Sequence, residues 1–101
     1  MIRRVIIRPE AKQDLRAARA WYRKISRDLA DDFVRRADEA LLLAQQRPLT
    51  FPFVHRTFRR VLLHRFPYSI FFHSADDRIV VVAVLHQARG PGALEARSER
   101  A

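Results

Sequence analysis

The sequence contains no cysteine, only two glycines and only two lysines. Without cysteine the chain can form neither disulfides nor thiolate metal sites, which is compatible with the reducing cytoplasm. The two glycines, Gly90 and Gly92, both lie near the C-terminus, so no glycine-rich loop is available to bind the phosphates of a nucleotide. The four histidines lack the spacing of metal ligands. We therefore expect a cytoplasmic protein without a metal or another cofactor.

Long apolar runs are also missing. The longest, Ile79–Leu85 and Ala40–Ala44, fall far short of the roughly 18 residues that a membrane-spanning helix needs. The basic start of the chain is not followed by the apolar segment of a signal peptide, so none is expected. A chain of 101 residues is long enough for one domain, which we predict over residues 1–92, with a polar tail over residues 93–101 that frays.

The sequence has a large excess of positive charge. The formal net charge is +9, and 18 of the 20 basic residues are arginine. A genome rich in G and C would explain the preference for arginine over lysine, but it would not explain the net charge. The excess therefore predicts an anionic partner, such as nucleic acid, the ribosome or an acidic protein segment.

The first half of the chain has the period of two amphipathic helices. After a short strand over residues 2–8, Pro9 is well placed to begin a helix. One apolar stripe follows at steps of four and three, and Ser26 then interrupts the pattern and can cap a second helix, which ends before Pro48. The residues of the two stripes are Ala11, Leu15, Ala18, Tyr22 and Ile25, then Leu29, Phe33, Ala37, Ala40, Leu41 and Ala44. So short a join predicts an antiparallel helix hairpin.

The second half has the pattern of strands. Residues 57–66 alternate loosely, residues 68–74 form a second run, and the β-branched run 79–86 is typical of a central strand. The predicted order is β-α-α-β-β-β. This is an α+β fold in which the helix hairpin packs on a small, mostly antiparallel sheet.

These segments together resemble the RelE/ParE family of toxins over residues 3–92. The residues that carry the resemblance are Trp21-Tyr22, Ser26, Leu29-Ala30, Phe33, Pro48, Phe51-Pro52, Arg59, Arg65-Phe66-Pro67-Tyr68, Val82–His86, Arg89 and Pro91. One position departs from the family, because Leu94 stands near the place where its members commonly carry an aromatic residue.

The resemblance implies the toxin of a type II toxin–antitoxin system, bound by a cognate antitoxin in a hetero-oligomeric complex. Some members of the family cleave mRNA on the ribosome, whereas others poison DNA gyrase and are not nucleases. The sequence contains neither the aromatic motif nor the GxxG loop of a general RNA-binding module.

RNA cleavage without a metal needs a base, an acid and a cation near the scissile phosphate. The candidates for proton transfer are His64, His86 and Tyr68, although His64 alternates with apolar residues and fits a half-buried structural position better. The candidates for the phosphate are Arg59, Arg60, Arg65 and Arg89. Arg59 and Arg65 project from the same side of one strand if the pairing is regular, and then form a clamp for a phosphate or for an acidic residue.

Each candidate also has a structural interpretation. His86 can hydrogen-bond a loop carbonyl and fix the exit from the sheet, Tyr68 can be a core ring, and the arginines can form a solvated basic surface. If Arg59, Arg65, His86 and Arg89 lie on one side of the sheet, ribosome-dependent mRNA cleavage is favoured. The alternative is a gyrase inhibitor that has no catalytic activity of its own.

Overall fold

The computed structural model of the protein describes residues 3–89 and 91–100. Its elements in chain order are β1 (Arg4–Ile7), α1 (Pro9–Ile25), α2 (Arg27–Gln46), a short 3-10 helix (Pro48–Thr50), β2 (Phe53–His55), β3 (Phe58–Leu62), β4 (Tyr68–Ser74), β5 (Arg78–His86) and α3 (Pro91–Arg100). The predicted α+β class and the helix hairpin are confirmed. The predicted strand start at Ile2 and the predicted break at Gly90 lie outside the described residues.

Ser26 forms the join of the hairpin. Its backbone N–H donates to Tyr22 O at 3.0 Å and closes α1, while its hydroxyl accepts from the Leu29 N–H at 3.3 Å and caps α2. Ser26 is the single residue between the two helices and has an extended backbone. The chain changes direction there, and α1 and α2 pack against each other. At the other end of α1, Pro9 occupies the first turn, where a missing N–H costs no hydrogen bond.

The sheet has the strand order β1-β5-β4-β3-β2. β1 pairs in parallel with β5, and the other three pairings are antiparallel. The helix hairpin connects β1 to the rest of the chain, which allows β1 to pair in parallel with β5 at one edge of the sheet. β5 is therefore a central strand, and seven of its nine residues are buried.

Two apolar clusters lie on opposite faces of the sheet. The first packs the sheet against the hairpin and contains Phe33, Ile70, Phe72 and Val81, all almost completely buried. The second lies on the other face. Its buried members are Phe58, Val80, Val82, Ala83, Leu85 and Leu94.

The structure corrects the prediction of one long strand over residues 57–66. β3 ends at Leu62, and a tight turn follows in which the Leu63 N–H bonds Tyr68 O and Arg65 has a positive φ of 76°. A short strand, β2, which was not predicted, pairs with β3 from the other side. Its three residues are too few to show an alternating pattern.

The structure also corrects the prediction of a frayed tail. Residues 91–100 form α3, in which Leu94 is buried in the second cluster and Arg97 pairs with Asp14 of α1. The predicted tail is therefore helical up to Arg100, and it packs on the sheet through Leu94 and Arg97. None of the helices in this described part is both long and apolar enough to cross a membrane.

Candidate functional site

A cavity of about 500 Å³ opens on the sheet face opposite the hairpin. Ligand sites commonly have volumes of this order. The strands β2 to β5, the loop after β5 and α3 all contribute to it. The residues that line it are Val54, Arg60, Leu62, Ser69, Phe71, Leu85, His86, Gln87, Arg89 and Leu94.

Arg60 and Arg89 make this cavity positively charged. Both residues are exposed. Among the side chains that the structure describes, those of residues 3–89 and 92–98, no Asp or Glu lines the cavity and no carboxylate lies within 4 Å of either guanidinium. Phe71 and Leu62 supply apolar surface beside them. This arrangement can receive an anionic group next to an apolar one.

Arg59 lies on the other face of the sheet. Strand pairing places it opposite Phe72 of the hairpin-side cluster, whereas Arg60 is opposite Phe71 in the cavity. The Arg59 side chain donates to Phe51 O at 2.7 Å. Its guanidinium carbon lies 3.8 Å from the centre of the Phe53 ring. Arg60 therefore lines the cavity and Arg59 does not, and only the register of β3 decides which of these two neighbours faces the cavity.

Arg65 is also placed elsewhere than expected. It lies in the turn after β3 and binds Asp32, a buried carboxylate of α2. Arg35 bonds the other oxygen of Asp32, and this hydrogen bond is the main reason that the pKa of Asp32 lies below its usual value. The expected clamp of Arg59 and Arg65 on one strand is therefore not formed, and Arg65 ties the turn to α2.

His86 and Tyr68 face each other across β5 and β4, with ring centroids 5.1 Å apart. The Tyr68 ring also packs against Phe33, and burial raises the pKa of its hydroxyl. His86 Nδ1 accepts from the Ala88 N–H at 3.0 Å, so His86 contacts the loop after its strand through a backbone N–H and not through the predicted carbonyl. His86 and Arg89 both line the cavity. Arg59, Arg65 and Tyr68 do not.

A smaller groove of about 190 Å³ lies between the two helices of the hairpin. Its walls are mostly apolar, and Val34 remains 37% exposed in it. The residues that line it are Ile7, Leu15, Arg16, Arg19, Phe33, Val34, Ala37, Asp38 and Leu41. An apolar groove with two arginines at its edge fits an amphipathic segment with acidic residues.

Comparison with known proteins identifies the family. Residues 5–91 match the family model described as the ParE toxin of the type II toxin-antitoxin system parDE. The chain belongs to the ParE toxin family. It is therefore the toxin of a type II toxin–antitoxin system, and the ParE family implies a cognate antitoxin as its partner.

A solved structure titled "Chromosomal ParDE TA system from P. aeruginosa" has a similar fold. It superposes with a TM-score of 0.74 at 21% sequence identity, covering 84% of this chain and 96% of that chain. At this identity the likeness shows the ParE fold alone. A comparison with curated protein sequences finds no match.

The histidines and carboxylates of this ParE chain do not gather into a metal site within the described residues. No three of them come close enough together to hold an ion. The candidate surfaces are therefore the positive cavity on the open face of the sheet and the groove between the helices.

Proposed function

We propose that this toxin acts by binding DNA gyrase and poisoning it, without cleaving RNA itself. Membership of the ParE family supports this choice over mRNA cleavage on the ribosome, which the sequence analysis favoured. The observation that carries the proposal is the composition of the cavity, which holds two cations but, of the expected acid and base, only His86, because Tyr68 lies outside it.

Cleavage of RNA without a metal requires an acid and a base within hydrogen-bond reach of the phosphate. Tyr68 packs into the hairpin-side cluster, and His86 uses Nδ1 to accept from the loop. Arg60 and Arg89 remain available in the cavity, and they can hold a carboxylate or a phosphate without transferring a proton. Such a surface is suited to binding an anionic segment of another macromolecule.

The groove of the hairpin is the proposed site of the antitoxin. Leu15, Val34 and Leu41 offer apolar contacts, while Arg16 and Arg19 lie at the edge. We expect an antitoxin segment that is helical or extended, with apolar side chains in the groove and acidic side chains facing the two arginines.

The function is tested by inducing the toxin and following DNA and mRNA in the same cells. We expect DNA breaks with intact message, and purified toxin should stabilise gyrase–DNA cleavage complexes. His86→Gln retains an acceptor for the Ala88 N–H and should remain toxic. Loss of a true acid or base would instead lower the rate about 100- to 10,000-fold.

The cavity arginines are tested with a charge-matched control. Arg60→Gln combined with Arg89→Gln should raise the toxin concentration for half-maximal gyrase poisoning by about tenfold, the equivalent of about 1.4 kcal/mol. Arg47→Gln combined with Arg56→Gln removes the same charge from exposed positions outside the cavity and should have little effect. The proposal would be refuted if the wild-type toxin cleaved mRNA and left DNA intact, and if His86→Gln abolished that cleavage.

A further inference from the structure

Four cations form a line along one side of α1. Lys12, Arg16, Arg19 and Arg23 follow each other at steps of four, three and four residues, and all four are exposed. Residues at these steps lie on the same side of a helix, and the line is about 16 Å long at 1.5 Å per residue. We call these four residues the basic stripe.

The charges of the basic stripe are not neutralised by the protein. Within the described part of the chain, none of the four side chains has a carboxylate within 4 Å or a hydrogen bond to another residue. Other arginines are paired, as Arg35 is with Asp32 and Arg97 is with Asp14. The stripe residues, like Arg60 and Arg89 of the cavity, therefore carry positive charge that no described carboxylate neutralises.

The acids of α1 are directed away from the stripe. Asp14 binds the Val84 N–H and Arg97, and Glu10 lies close enough to Arg97 to contribute to its raised pKa. On the stripe side, the acid that shares a surface with it is Asp38, across the groove. Its single negative charge leaves most of the positive charge of the stripe available to a partner.

We propose that the basic stripe binds the phosphate backbone of duplex DNA without reading its sequence. The choice of DNA rests on the proposed function, because DNA is the substrate on which gyrase acts. One DNA strand carries a phosphate about every 3.4 Å along the axis, so a line of 16 Å spans several successive phosphates of the backbone. Three of the four cations are arginines, whose planar guanidinium groups can bind phosphate oxygens in pairs.

The packing of α1 explains why the contact is limited to the backbone. The neighbouring side of the helix, with Ala11 and Ala18, is buried against the sheet, and α2 lies alongside it. α1 therefore cannot enter the major groove as an isolated recognition helix does. Contacts to phosphates position a protein on DNA but carry no sequence information.

The test measures binding of purified toxin to a labelled duplex of about 20 base pairs between 50 and 200 mM salt. Each phosphate contact contributes about 0.9 to the slope of log affinity against log salt. Arg16→Gln combined with Arg23→Gln should therefore flatten the slope by about 1.8. Glutamine has a helix propensity close to that of arginine, and an unchanged circular dichroism spectrum checks that the variant is folded.

The control pair, Arg47→Gln and Arg56→Gln, removes the same net charge from outside the stripe and should leave the slope nearly unchanged. Equal flattening in both pairs would overturn the proposal, since the effect would then come from net charge alone. Tighter binding to an RNA duplex of the same sequence would overturn the assignment to DNA. Failure of the gyrase proposal would appear separately, as the absence of cleavage complexes with the wild-type toxin, and would not alter the DNA slopes.

Discussion

Arg97→Met is the substitution whose effect on stability follows most directly from the contacts. β1 ends at Ile7, and the Arg8 N–H makes the last contact to β5, at Val81 O. Beyond that point β5 has one extra residue, because Phe72 pairs with Val81 but Phe71 pairs with Ala83. The edge of β5 next to this bulge has no neighbouring strand.

Side chains replace the missing strand. Arg97 donates to Val82 O at 2.9 Å, and Asp14 Oδ2 accepts from the Val84 N–H at 2.9 Å. The two side chains also pair with each other through two hydrogen bonds, of 2.8 and 3.1 Å. Helices α1 and α3 are thus joined around an exposed strand edge, which protects that edge from pairing with another chain.

The magnitude follows from burial. Arg97 and Asp14 side chains are only 14% and 12% exposed. Methionine keeps much of the apolar stem of Arg97, but it leaves Asp14 with one hydrogen bond and Val82 O without its donor. Removing one member of a buried pair costs about 3–5 kcal/mol, and partial access of solvent at the strand edge favours the lower value, about 3 kcal/mol.

Urea unfolding of the purified toxin measures this loss. With a slope of about 1.5 kcal/mol per molar, the midpoint should fall by about 2 M. Asp14→Asn in the same chain removes the unpaired charge, so the double variant should be less destabilised than the sum of the single variants. A loss below about 0.5 kcal/mol for Arg97→Met, as for an exposed ion pair, would refute the reasoning.

Two further predictions concern Asp32 and the groove. The pKa of Asp32 is lowered in the folded state, so its contribution to stability is present above its unfolded pKa of about 3.9 and is lost as the pH falls through the folded value. In the wild type the urea midpoint should fall below about pH 4, and Asp32→Asn should make this fall shallower. The same dependence of the midpoint on pH in both proteins would contradict the role of Asp32. Val34→Glu places a charge in the apolar groove and should weaken antitoxin binding about 100-fold while toxicity persists. Leu42→Glu, at an exposed leucine that does not line the groove, is the control, and equal rescue of both variants by the antitoxin would contradict the proposed site.

The helix hairpin and the family were predictable from the sequence because both depend on local patterns. The apolar steps along α1 and α2 and the capping serine, Ser26, involve residues no more than four positions apart. The run that became β5 was recognisable in the same way, since a strand buried on both faces is almost continuously apolar.

The positions of the candidate site residues depended on the tertiary structure. Arg59 and Arg60 are adjacent in the chain, and a shift of one residue in strand register exchanges the faces on which they lie. The turn that removes Arg65 from the strand is held by Asp32, 33 residues away. Neither the register of β3 nor the contact between Arg65 and Asp32 produces a periodic pattern in the sequence.

Helix α3 shows the same dependence on distant residues. Its sequence is mostly polar, and isolated helices of this length are marginal in water. The helix is held by Leu94 in the second cluster and by Arg97, whose partner Asp14 is 83 residues away. The sequence by itself determined the helix hairpin and the family, because both are recognisable from patterns among residues that are close together in the chain. Only the tertiary structure decided which cations line the cavity and that residues 91–100 form a helix, because both depend on contacts between distant parts of the chain.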